Sequence, residues 1–132
     1  WILDIVRAQL ATDKREDLIL QTAKKDGKTV RIAIEREPGS AGIDSAKATV
    51  KLLAGYLVYP EPSTGSKELR ADTLSVQVNN GNVHTAIKGK LLDDLKYEML
   101  FFPNGKNDDQ IDALSLAFSM LVNRKPKLGV LR

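Results

Sequence analysis

Two short apolar runs separated by a helical segment constrain this chain more than any other feature. Val30-Arg31-Ile32-Ala33-Ile34 is rich in β-branched residues and reads as a strand. It runs straight into Glu35-Arg36-Glu37-Pro38-Gly39-Ser40-Ala41-Gly42, a turn through proline and glycine. Ile43, Ala46, Val50 and Leu53 then recur at helical spacing, Gly55 closes that helix, and Tyr56-Leu57-Val58-Tyr59 forms a second strand. A strand, a helix and a strand in this order imply a right-handed parallel crossover, and with it an α/β fold. Ligands of such folds gather at the carboxyl ends of the strands, which makes Glu35 the leading candidate there; Glu37, two residues on, is more exposed. The glycines invite a phosphate-loop reading, but neither G-x-G-x-x-G nor G-x-x-x-x-G-K-[ST] is present. A turn followed by a helix N-terminus explains them.

The remaining elements follow from the same signals. Trp1-Ile2-Leu3-Asp4-Ile5-Val6 reads as a strand already under way, so the sequence is expected to be a piece that begins inside a larger domain. Asp4 is expected as a strand-face or edge acid. Asp13 to Lys25 is an amphipathic helix with Leu18, Ile19 and Thr22 inward and Gly27 at its end. Pro60 to Ser66 reads as a loop, Lys67 to Asn79 as a helix although Leu74, Val76 and Val78 also fit a strand alternation, Asn82 to Ile87 as an edge strand, and Leu91 to Leu100 as a further helix. Lys67 and Arg70, one turn apart, either grip a phosphate or close salt bridges, and the salt bridge has the higher prior.

The stretch Asn107-Asp108-Asp109-Gln110-Ile111-Asp112-Ala113 brings three carboxylates within five residues at a helix start. Asn107 is the expected N-cap, with Gln110 reaching back to it in a capping-box-like pair. Ile111, Leu114, Phe118 and Leu121 mark the buried face of that helix. First-turn acids complement the helix dipole by roughly 0.3–1 kcal/mol each, which covers Asp108 and Asp109 better than Asp112. The other reading is a carboxylate platform for Mg²⁺ or Mn²⁺, hard cations that take oxygen ligands. Composition narrows the chemistry. The chain has 132 residues, enough for one domain, no cysteine and the single histidine His84. Thiol chemistry and a histidine metal site are therefore excluded, and His84 is expected at the surface. The net charge of +3 leans weakly towards a polyanionic partner. No run is long enough to cross a membrane.

Glu35 at a strand end and Asp108, Asp109 and Asp112 at a helix start converge if that helix packs across the sheet. Two-metal hydrolysis of a phosphodiester needs such a cluster, with ions about 3.5–4 Å apart. Three segments, Ile34 to Gly42, Thr64 to Ala71 and Phe102 to Ala113, resemble in order and spacing the C-terminal nuclease domain of phage terminase large subunits. The resemblance implies an RNase H-like mixed sheet flanked by helices, truncated at the N-terminus, over residues 1–122, with a basic tail over 123–132. It implies a Mg²⁺- or Mn²⁺-dependent endonuclease that cuts concatemeric double-stranded DNA during genome packaging, in the cytoplasm of the host of a phage or prophage. Glu35, Asp108 and Asp109 match the catalytic and metal-binding acids, and Asp112 fits the metal motif. Lys67 and Arg70 match a basic motif that holds DNA or braces the fold, and Lys88 and Lys90 are counted with them as DNA-binding candidates. The partners implied are DNA, a packaging ATPase domain of the same protein, the portal protein and the small terminase subunit. The family's first catalytic aspartate lies upstream of the segment that Trp1 to Asp4 resembles, and Asp4 does not match it, so an inactive fragment is also expected. The alternatives are another RNase H-like nuclease, such as a junction resolvase, and a non-catalytic module that docks DNA or the portal ring.

Overall fold

A computed structural model of the chain describes residues 1–122. The order is α1 (Thr12–Asp26), β1 (Arg31–Arg36), α2 (Ser40–Leu52), β2 (Leu57–Pro62), α3 (Lys67–Asn79), α4 (Lys90–Phe101) and α5 (Asp109–Val122). The fold is mixed α/β, with five helices and one two-stranded sheet among the described residues. The basic tail expected over residues 123–132 lies outside them.

The crossover unit is present. β1 and β2 pair in parallel, with Ile32 opposite Val58, Ala33 opposite Tyr59 and Glu35 opposite Glu61. Alternation along β1 sends Arg31, Ala33 and Glu35 towards α5, while Arg36 lies beside Ile43 and Ala46 of α2. β2 runs on to Pro62, through residues expected as loop. The Ser63 amide donates to the Arg36 carbonyl at 3.0 Å, so the backbone of Glu61 and Tyr59 also faces β1. Pro60 and Pro62 then turn their missing N–H groups to the outer edge, where a strand tolerates proline. That placement explains why turn-like residues extend a strand here.

The expected strands Trp1–Val6 and Asn82–Ile87 shrink to a single parallel bridge between Ile2 and Thr85. Ile2 donates to the His84 carbonyl and accepts from the Ala86 amide, both at 2.8 Å. Pairing stops there because Asp4 turns its carboxylate to the Ile5 amide (2.9 Å) and to Lys25 Nζ (2.8 Å). His84 is exposed and stacks on Trp1, ring centroids 5.0 Å apart.

The buried apolar set is small: Ala23, Ala46, Leu53, Ala71, Leu74, Ile87, Leu95 and Ile111. Leu53, just past α2, is 1% exposed and is the most enclosed large side chain. α5 buries Ile111, half-buries Leu114 and Phe118, and leaves Leu121 60% exposed, so its expected inner stripe ends before Leu121. α5 lies against α3, α4 and β1, and this packing carries its acidic first turn towards the end of β1.

Candidate functional site

Glu35 leaves the end of β1 on the face turned to α5. Its Oε1 accepts a hydrogen bond from Ser63 Oγ at 2.6 Å, from the residue that follows β2. The parallel register puts both strand ends side by side, so this contact follows directly from the crossover. α3 begins four residues after Ser63. Ser66 caps it by accepting from the Leu69 amide at 3.2 Å, which fixes where Lys67 and Arg70 emerge.

Those two cations stand among the acids. Lys67 Nζ lies 2.6 Å from Asp108 Oδ2 and 3.3 Å from Asp112 Oδ2. Arg70 Nη2 lies 3.5 Å from Asp112 Oδ1 and 3.6 Å from Glu35 Oε1, while its Nη1 donates to the Gly65 carbonyl at 3.2 Å. The chain of charges therefore runs Asp108, Lys67, Asp112, Arg70, Glu35, and it joins β1, α3 and α5. The hydrogen bond to Asp108 holds the Lys67 ammonium above the ordinary lysine range, with desolvation pulling the other way.

Beside this row lies a cavity of about 270 Å³, lined by Glu35, Glu61, Arg70, Asp112, Ser115 and Ser119 together with the turn after β2. Most of these groups are polar. One of them, Ser115, is 5% exposed, and its hydroxyl has no hydrogen-bond partner.

The sequence candidates thus divide by place. Glu35, Asp108 and Asp112 come together through Lys67 and Arg70. Asp109 opens α5, exposed and without an ion pair among the described residues. Lys88 is exposed and Lys90 pairs with Asp94, both oxygens at 2.8 Å; neither lines the cavity. Lys67 and Arg70 close the salt bridges that their spacing suggested.

Two residues that matter here were not singled out from the sequence: Ser63 and Glu98. Glu98, 3% exposed on α4, takes over the cap expected from Asn107. Its Oε1 accepts from the amides of Gln110 (2.6 Å) and Ile111 (3.1 Å), and its Oε2 accepts from Gln110 Nε2 (2.8 Å). The Asp112 amide bonds to the Asp108 carbonyl at 2.9 Å, so Asp108 occupies the cap position and Gln110 turns inward rather than back. An acid that continues the helical spacing of Leu91 and Leu95 was the available signal, since a carboxylate on an apolar stripe needs donors.

Carboxylate and hydroxyl oxygens are the donors that Mg²⁺ and Mn²⁺ prefer. Among the described residues no three acid or histidine side chains stand close enough to form a ready-made cage. What the site offers is pairs of carboxylates, Glu35 with Asp112 and Asp108 with Asp112, each bridged by a side-chain cation. That suits a hard cation which keeps several waters and binds through one or two carboxylates. Comparison of the chain with known protein families, with curated proteins and with solved structures gave no match.

Proposed function

We propose that this chain is the RNase H-like nuclease portion of a phage DNA-packaging terminase, acting on double-stranded DNA with Mg²⁺ or Mn²⁺. The observation that carries the reading is the meeting of Glu35 and Asp112, 77 positions apart in sequence, on the one Arg70 guanidinium. Glu35, Asp108 and Asp112 would hold the metal. A bound divalent ion supplies hydroxide at neutral pH and stabilises the departing oxygen of the phosphodiester. Ser63 fixes the rotamer of Glu35 by donating to it. Lys67 and Arg70 stand on one turn of α3 at the mouth of the site, where ammonium and guanidinium groups can receive a DNA phosphate.

A second reading has its own observation. Asp108, Asp112 and Glu35 each already have a side-chain cation, so the row also works as a brace within a non-catalytic module that docks DNA or a portal ring. Plasmid nicking in Mn²⁺ separates the two. The nuclease reading expects nicking that is lost on Glu35→Ala and on Asp112→Ala, with Asp109→Ala reporting whether the exposed acid takes part. DNA binding that weakens with salt, unaccompanied by nicking and indifferent to the acid substitutions, supports the docking module instead.

A further inference from the structure

Ser115 stands out among the hydroxyls of this chain. A serine or threonine inside a helix satisfies itself most easily on a carbonyl three or four residues back. Thr22 does so on Leu18 (2.8 Å), Thr49 on Ser45 (3.1 Å) and Ser119 on Leu116 (3.0 Å). Ser115 does not, although it is buried and lies one turn beyond Asp112 on the same helix face. A buried hydroxyl without a partner costs about 1–3 kcal/mol, so its retention in this orientation needs a reason. The cavity it lines also holds Glu35, Asp112 and Arg70.

We infer that a hydrated divalent cation enters this cavity by exchange with the Arg70 guanidinium, and that Ser115 hydrogen-bonds a water of its shell. The inference rests on the metal-dependent reading above. Arg70 is loosely held by the acids, at 3.5 and 3.6 Å, whereas Lys67 is held tightly at 2.6 Å; the exchangeable position is therefore the one between Glu35 and Asp112. Magnesium-like ions give up water reluctantly, so a small cavity lined by three carboxylate residues, Glu35, Glu61 and Asp112, and four hydroxyl residues takes the ion together with part of its shell. Ser115 donates to no carbonyl, which leaves its hydroxyl free to accept from, or donate to, such a water. The withdrawn Arg70 is then presented outward, beside Lys67, to a phosphate. Ser115 is in this account a positioning residue that acts on the ion through water.

The test measures Mn²⁺ binding to the full chain by water-proton relaxation, with thermal melting in the presence and absence of Mn²⁺. Ser115→Ala is expected to melt at the same temperature as wild type or higher without metal, because it removes an unpaired buried hydroxyl. With metal it is expected to bind Mn²⁺ about tenfold more weakly, the usual loss when an outer partner of a metal ligand is removed. Arg70→Met is expected to bind Mn²⁺ more tightly than wild type, since it removes the competing cation. Ser115→Ala that binds Mn²⁺ as wild type does, or that is destabilised equally with and without metal, overturns the inference while leaving a metal-binding wild type intact. A wild-type chain that shows no Mn²⁺ binding removes the nuclease reading itself, and the inference with it.

Discussion

Replacing Glu98 by alanine tests what holds the acidic end of α5 in place. Its carboxylate is the sole partner seen for two backbone amides at the start of the helix, Gln110 and Ile111, and for the Gln110 side chain. Stranding one buried donor costs about 1–3 kcal/mol; three donors, partly rehydrated through the space the side chain leaves, put Glu98→Ala at roughly 3–5 kcal/mol. In a domain of this size that lowers the melting temperature by about 10–20 °C. Glu98→Gln is the informative control. Its amide oxygen keeps the two backbone bonds, and its NH₂ meets the Gln110 amide, whose own Oε1 is buried and unpartnered. A rotation of Gln110 by half a turn restores that bond, so the cost falls to about 1 kcal/mol, the loss of charge assistance. Urea denaturation of the three proteins, read at constant m-value, gives the comparison. If Glu98→Ala costs under about 1 kcal/mol, or if Glu98→Gln is as damaging as Glu98→Ala, the tether between α4 and α5 is not what positions Asp108 and Asp112.

Other outcomes follow from single contacts. Leu53→Ala, at the most enclosed side chain, is expected to cost about 2–5 kcal/mol in the same urea assay. Gly42→Ala drives a Cβ into the Glu37 carbonyl and is expected both to destabilise the fold and to shift the turn that follows Glu35; a neutral melting temperature would refute that contact. Lys67 holds its proton more tightly when folded, so its stabilisation is complete below the ordinary lysine value of 10.5 and is lost as pH rises through the raised folded value. Wild type is therefore expected to lose its advantage over Lys67→Met on the alkaline side of 10.5, and a gap that persists there would show that packing, not charge, explains it. Asp4 runs the opposite way: the hydrogen bond from Lys25 holds it below 3.8, so its contribution is present above 3.8 and disappears as pH falls through the lowered value. Asp4→Asn should accordingly differ from wild type at neutral pH and converge with it in acid.

The crossover was legible because its signals are local. Val30 to Ile34 and Tyr56 to Tyr59 are short apolar runs, and the spacing of Ile43, Ala46, Val50 and Leu53 admits only a helix between them. The bounds of α3, Lys67 to Asn79, match those read from the sequence, where the alternation of Leu74, Val76 and Val78 also left a strand open. The strands at Trp1–Val6 and Asn82–Ile87 were misjudged because β-propensity measures fit to a pleated, half-buried surface, and only Ile2 and Thr85 find such a partner. β2 was read too short because proline was treated as a stop, whereas an outer edge removes the objection. At the site, Glu35, Lys67, Arg70 and Asp112 could be named one by one, but their pairing could not. Which cation meets which acid depends on how far α5 slides along β1 and α3, and that is set by packing and by the buried Glu98, remote from the acids in sequence.

The arrangement of α3 between the two acidic elements also bears on how such a site would be kept empty and then filled. Glu35 and Asp112 near one another without a cation would repel, and burying that repulsion would push α5 away from β1. Arg70 and Lys67 remove the repulsion, so the fold closes without help from metal. They do so with contacts that differ in length: Lys67 to Asp108 at 2.6 Å, and Arg70 to Asp112 and Glu35 at 3.5 and 3.6 Å. Exposed or half-exposed ion pairs of this length contribute little stability, about 1 kcal/mol or less, and a divalent cation on the same carboxylates competes with them on favourable terms. The longer contacts are those between Arg70 and the pair Glu35 and Asp112, so under the metal-dependent reading a competing cation displaces Arg70 there while Lys67 keeps Asp108 in place.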